Sequence, residues 1–120
     1  MSLRFQNFPI YQELRHFISE IYQLSKKLPK HEQYELASQL RRAATSGLLN
    51  IAEGSMKKLD KEFNRYLLIS IGSISDIVSI LDICIDLKYI STSTHQTYLL
   101  ECESIIKKLY GFSNKLKDNK

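Results

Sequence analysis

Tryptophan is absent from the 120 residues, proline and cysteine occur twice each and glycine four times. So few backbone breakers exclude collagen-like, disulfide-framework and low-complexity chains, and they leave room for long uninterrupted elements. Cys84 and Cys102 sit inside apolar periodic segments, away from any zinc-ligand spacing, which predicts reduced thiols and a cytoplasmic chain. There is no Asn-Gly or Asp-Gly hairpin signal and no alternating run of strand length. Residues 1–10 lack the apolar run of a signal peptide. Within the helical body, the stretch Tyr66 to Ser75, free of Asp, Glu, Lys and Arg, is about half of what a bilayer span needs, so no membrane contact is expected. A Gly-rich phosphate loop, RNP aromatics and a Cys/His metal pattern are all missing. Glu13-Leu14-Arg15-His16 spells half of a di-iron bundle site, yet the second Glu-x-x-His is lacking. The chain is therefore not expected to be an enzyme or to hold a metal or cofactor.

What remains is hydrophobic period. Tyr11, Leu14, Phe17, Ile18, Ile21, Tyr22 and Leu24 follow the three-and-four spacing of one helical face, and Pro9 suits a first turn because its missing N–H would be unpaired there. This predicts a helix over 9–27. A second, over 31–53, carries Tyr34, Ala37, Leu40, Ala44, Leu48 and Ile51 and stops at Gly54. A third, over 60–88, has Asp60 as its best N-cap. A fourth, over 92–116, is capped by Ser91 or Ser93 and shows Tyr98, Cys102, Ile105, Ile106, Leu109, Tyr110 and Phe112 on one face. The polar tail from Lys115 to Lys120 is expected to fray. Four helices joined by short loops make an all-α, antiparallel up-down-up-down four-helix bundle, one domain at this length.

The third helix carries more apolar surface than a bundle core uses. Phe63, Ser70, Ile77 and Cys84 fall on one heptad position, Tyr66, Ser73, Ile80 and Leu87 on another, and Leu67, Ile74 and Leu81 on a third. Ile71, Val78 and Ile85 widen the face on one side and Ile69, Ile83 and Ile90 on the other, giving an arc of about 220° where about 100° suffices. Either this helix is the most embedded one, or Ile69, Ile71, Val78, Ile83 and Ile85 line a subunit interface.

Charge is the other signal. Lysine and arginine number 17 against 13 acids, a formal net charge of +4, which permits a polyanionic partner. Lys57, Lys58, Lys61 and Arg65 cluster at the loop between the second and third helices, diluted by Glu53, Asp60 and Glu62; Lys107, Lys108 and Lys115 add charge on the fourth. Arg41 stands inside the apolar seam of the second helix and must pair or snorkel, for instance with Asp76 or Asp82. Arg42, one step of about 100° round the helix, faces elsewhere and is the better phosphate ligand. Glu53, at the carbonyl end of its helix dipole, implies a compensating cation such as Lys57, Lys58 or a group on an adjacent subunit, unless it is merely solvated. Asn50 is expected to bond across to another helix near the same end.

The run Gln39-Leu40-Arg41-Arg42-Ala43-Ala44-Thr45-Ser46 with Asn50-Ile51-Ala52-Glu53-Gly54 resembles the signature of a small bacterial four-helix-bundle family first noticed as a reading frame in the intervening sequences of large-subunit rRNA genes. Phe5-x-x-Phe8-Pro9-Ile10-Tyr11, Lys61-Glu62-Phe63 and Leu87-x-Tyr89-Ile90-Ser91 extend the likeness over nearly the whole chain. Gly47-Leu48-Leu49 and Leu59 depart from it, where Ile-Pro-small and a capping Ser are common. The resemblance implies a homo-oligomer, in particular a ring-like pentamer, and nucleic-acid binding, here RNA held through phosphates. A related branch, the accessory variability determinant of diversity-generating retroelements, binds nucleic acid and a reverse transcriptase, which keeps a protein-adaptor role open. The phosphate ligands expected are Arg42, Lys57, Lys58, Lys61 and Arg65.

Overall fold

A computed structural model describes residues 3–118; Met1 and Ser2, and Asn119 and Lys120 of the tail expected to fray, lie outside the described residues. A 3-10 turn at Arg4–Asn7 leads into α1 (Pro9–Lys26), and a second at Lys30–Glu32 precedes α2 (Leu36–Ser55); α3 (Asp60–Asp86) and α4 (Thr92–Asp118) complete the chain. No strand occurs among the described residues. α1 packs on α2, α2 on α3 and α3 on α4, while α4 closes only sparsely on α1. The result is an antiparallel up-down-up-down bundle of 47 × 27 × 19 Å.

The core is built from most of the expected stripes, although Tyr22 and Tyr110, placed on the apolar faces by their spacing, are exposed. Leu14, Phe17 and Ile21 of α1, Leu40 and Ile51 of α2, Leu67, Ile74, Ile77 and Leu81 of α3, and Ile105 and Leu109 of α4 are fully buried. Small residues let α2 and α3 approach closely: the Ser70 hydroxyl donates to the Gly47 carbonyl at 2.7 Å, and the Ser46 and Ser73 hydroxyls meet at 2.9 Å. At Gly54 an added Cβ would stand 2.6 Å from Tyr66 Cβ. The thiols of Cys84 and Cys102 are buried and free. Burial pushes them up to about 11 and about 12, which leaves both as inert thiols at neutral pH.

Helix ends differ from the sequence reading in physically intelligible ways. α2 opens at Leu36, not at residue 31, because the preceding segment is tied down elsewhere: Gln33 Nε2 donates to the Ser25 and Leu28 carbonyls, both at 2.9 Å. Tyr34, placed in the apolar seam by its spacing, is 93% exposed. Leu59, not Asp60, is the N-cap of α3 and supplies no side-chain cap, so Asp60 acts in the first turn through the helix dipole alone. α3 ends without glycine: Lys88 takes φ 63°, Tyr89 N–H donates to the Cys84 carbonyl at 2.8 Å and Lys88 N–H to that of Ile85 at 3.0 Å, closing a Schellman motif. Ser91 Oγ accepts the Thr94 N–H at 3.0 Å and so caps α4. α4 continues to Asp118 because Leu116 is buried against the core.

The apolar surplus of α3 divides in two. The most apolar 18-residue window of α3 has a mean hydropathy of 2.0, so by length and composition alone the helix could cross a membrane, contrary to the reading from its short charge-free run. Much of that surface serves the bundle, since α3 is flanked by α2 and α4. Ile71 belongs to this buried part at 6% exposure, so it is a core residue and not an interface residue; Val78 and Ile85 are half-buried. Leu68, Ile69 and Ile83 stay exposed, and at about 100° per residue they share one outward stripe with Gly72.

At the sparse α1–α4 seam Lys108 Nζ reaches Glu13 Oε1 at 2.5 Å, and Tyr98 donates to the Glu20 carbonyl at 3.3 Å. Glu20 Oε1 is buried there without a hydrogen-bond partner, facing Glu101. Burial first, then the Glu20 charge, raises the Glu101 carboxyl above its ordinary value of 4.5, while His16 opposes the shift. A carboxyl that binds its proton more tightly when folded adds stability below the unfolded value and loses it as pH rises through the folded one. Urea midpoints are therefore expected to fall, relative to those of Glu101→Gln, as pH climbs from about 4.5 toward neutrality; parallel pH profiles would refute the raised Glu101 carboxyl.

Candidate functional site

The antiparallel topology brings the start of α1, the end of α2, the start of α3 and the end of α4 to one end of the bundle. The turn carries Lys57 and Lys58, and Lys61 and Arg65 follow in the first turns of α3; all four are exposed. Arg65 is held by Glu62 at 3.3 Å and lies over the Tyr66 ring at 4.9 Å, and Lys57 lies over the same ring at 5.3 Å. Two cations on one aromatic are thus steered to a common spot. Among the described residues no carboxylate lies within ion-pair distance of Lys57, Lys58 or Lys61.

Further cations join from distant parts of the sequence. Arg4 donates from Nη2 to the Ser55 carbonyl at 3.1 Å and lies over Phe8 and Phe63 at 5.6 and 5.7 Å. Lys117 lies beside Asp60, Lys61 and Asn64, and Lys115 flanks a groove between the start of α1 and the end of α4. The end is anchored by an aromatic cluster, Phe8, Phe63 and Phe112, with centroids 5.1 to 6.2 Å apart, and by the Ser113 hydroxyl, which donates to Asn64 Oδ1. Arg4, Tyr66 and Lys117 were missed by sequence reasoning, although an up-down topology already places their segments together.

Arg42 is not part of this group. It stands about 20 Å away along α2, reckoned at 1.5 Å per residue to Lys57, in a groove shared with Ser46, Ser73, Asp76 and Ile83. Arg41 makes no ion pair with Asp76 or Asp82. Its guanidinium donates from Nη1 to Ser25 Oγ at 3.0 Å and from Nη2 to the Gln33 carbonyl at 2.9 Å. It closes the α1–α2 turn, while Asp82 pairs with His95 at 2.8 Å. Glu53 is exposed and forms no ion pair among the described residues, so the compensating cation is not found. Asn50 Nδ2 bonds within its own helix, to the Ser46 carbonyl at 2.8 Å, and it is Ser46 that crosses to α3.

At the opposite end, Tyr89 donates to Glu32 Oε2 at 2.8 Å and meets His31 Nε2 at 3.2 Å, locking the α3–α4 turn onto the Lys30–Glu32 turn. Glu32 pushes the Tyr89 phenol up through this bond. Glu13 and His16 do not converge on a metal: Glu13 holds Lys108, and His16 faces Glu20 at 3.8 Å. No group of three or more metal-ligating side chains comes together among the described residues.

A family model described as 23S rRNA-intervening sequence protein matches residues 6–111. Among solved structures, a protein of unknown function from the S23 ribosomal protein family of Bacteroides thetaiotaomicron VPI-5482 superposes with a TM-score of 0.81. It is 21% identical, and the match covers 88% of this chain and 95% of that one, a likeness of fold. No curated protein sequence matches.

Proposed function

The chain belongs to the 23S rRNA-intervening sequence protein family, and from that membership and the basic end of the bundle we propose a cytoplasmic, non-enzymatic protein that binds RNA through its phosphates. The observation that carries this reading is the gathering of Arg4, Lys57, Lys58, Lys61, Arg65, Lys115 and Lys117 at one end, against Glu53, Asp60 and Glu62. Lys57, held over Tyr66, and Lys58 and Lys61 have no carboxylate partner among the described residues and are available to phosphate. With no groove-reading helix or base-reading motif beside them, the contacts carry little sequence information.

Assembly multiplies this charge. Leu68, Ile69 and Ile83 are each more than 40% exposed, and nothing lies within 4 Å of a Cβ added at Gly72. A glycine inside an exposed helix costs roughly 0.5–1 kcal/mol relative to alanine, with no compensation inside this chain. A bare backbone beside apolar side chains suits the close approach of a helix from a second copy, and a homopentamer follows the family likeness. Glutamate at both Ile69 and Ile83 is expected to dissociate the particle while preserving helix content. A 14 kDa particle by light scattering of the unmodified protein would remove the oligomer and leave the stripe to a different polypeptide, the adaptor reading.

Binding to single-stranded RNA is expected to weaken with salt at a log–log slope of about −0.7 per phosphate neutralised. Replacing Lys57, Lys58 and Lys61 by alanine should make that slope shallower by about 2 per subunit. Replacing Arg42 alone should alter it by less, given its distance from the basic end. Affinity that is flat between about 50 and 200 mM salt would overturn the phosphate reading.

A further inference from the structure

At the same end of the bundle as the lysine tip, Lys57, Lys58 and Lys61, lies an open groove of about 470 Å³ between the start of α1 and the end of α4. Its walls are Phe8 and Ile10 on one side and Phe112 and Gly111 on the other, with Lys108 and Lys115 along α4. Phe8 and Phe112 are half-buried and meet edge to face at 5.1 Å, so part of an aromatic surface stays open to solvent. Arg4 adds a positive charge over the Phe8 ring, 5.6 Å from its centroid.

Gly111 has no reason within this chain. It sits in the interior of a 27-residue helix, its φ is not positive, and a Cβ built on it meets nothing within 4 Å. An alanine would favour the helix there, so the glycine serves neither turn nor internal packing. Its bare backbone forms part of the groove wall beside Phe112. An aromatic-lined groove flanked by cations complements a ligand that joins a planar apolar group to negative charge. Lys115 is the groove cation left for that charge, since Lys108 is engaged by Glu13.

Resting on the RNA reading above, we propose that the α1–α4 groove takes an unstacked base of a single-stranded segment while Arg4, Lys115 and the lysine tip hold its flanking phosphates. A perfect duplex hides its base faces and leaves the groove empty, so unpaired RNA is the preferred partner.

The test uses the full chain with a short oligouridylate and a perfectly paired RNA duplex of equal length. Gly111→Gln fills the groove with an uncharged side chain at a position where space is open, and Gly111→Ala also gains helix propensity over glycine while leaving the groove open. The single strand is expected to bind the unmodified protein and Gly111→Ala alike, and Gly111→Gln about ten- to a hundredfold more weakly, the range that stacking of one base supplies. Duplex binding should be equal in all three. Equal affinity for strand and duplex, with Gly111→Gln indifferent but the salt slope intact, would overturn the groove and leave phosphate binding standing. Absence of binding to either RNA would overturn both readings. Capture by anionic vesicles, lost in Gly111→Gln, would assign the groove to lipid instead.

Discussion

Gly54→Ala is expected to destabilise the bundle by roughly 1–3 kcal/mol or more, despite adding a single methyl group and improving helix propensity by about 1 kcal/mol. The new Cβ would lie 2.6 Å from Tyr66 Cβ, 3.0 Å from Phe63 Cδ1 and 3.3 Å from the Phe63 carbonyl. Two of these atoms are fixed to the α3 backbone, so relief comes only by moving α2 and α3 apart next to the tight turn that joins them. Gly47→Ala makes the instructive contrast. Its nearest neighbour, 2.9 Å away, is Ile74 Cδ1, the end of a flexible side chain that can rotate. Urea unfolding should therefore show a large loss for Gly54→Ala and a small change of either sign for Gly47→Ala. Equal effects would mean that the close approach of α2 and α3 is not what Gly54 serves. The damaged variant should also lose RNA affinity, because Tyr66 positions Lys57 and Arg65.

The second large effect belongs to Arg41→Ala. The guanidinium spans two acceptors on separate segments, Ser25 Oγ at the end of α1 and the Gln33 carbonyl in the turn. Ser25 is fully buried. A hydrogen bond to a charged group contributes about 1.5–3 kcal/mol, and the Gln33 carbonyl would lose its charged partner, so a loss of about 3 kcal/mol is expected. Arg41→Lys should recover only part of it, since an ammonium cannot reproduce the fork that engages both oxygens. Full rescue by lysine would show that the positive charge, not its geometry, holds the turn. RNA binding by whatever fraction remains folded should be unchanged, which separates Arg41 from the lysine tip.

These two residues show how far the sequence was legible. The stripes of α1, α2 and α4, the antiparallel topology and the basic character of the α2–α3 turn follow from period and charge alone. Arg41 was visible as an anomaly, a cation inside an apolar seam, but its partners are a serine and a carbonyl in a turn that no periodic pattern describes. Tyr34 fitted the seam by spacing alone and was displaced when Gln33 anchored the turn. Ile71 was assigned to an interface because a heptad cannot tell how deeply α3 is embedded between its neighbours. The stop of α3 at Lys88 carries no glycine signal, since a Schellman motif here accepts a lysine at positive φ. The separation of Arg42 from Lys57 was available from helix rise alone. So was the convergence of Arg4 and Lys117 on the lysine tip, from topology. The groove was not, because it depends on how Phe8 packs against Phe112.

The sparse contact between α1 and α4 bears on the order in which the chain acquires these features. Every other seam between the four α-helices joins consecutive ones, so low contact order governs most of the folding reaction, and one helix-docking step spans the length of the chain. The α2–α3 hairpin, with its lysine-bearing turn, needs only local encounters. The groove exists only once the first and last helices have met. On the proposed reading, a nascent chain emerging in order would gain affinity for phosphate before it had anywhere to seat a base, and discrimination among RNAs would be the last property to mature.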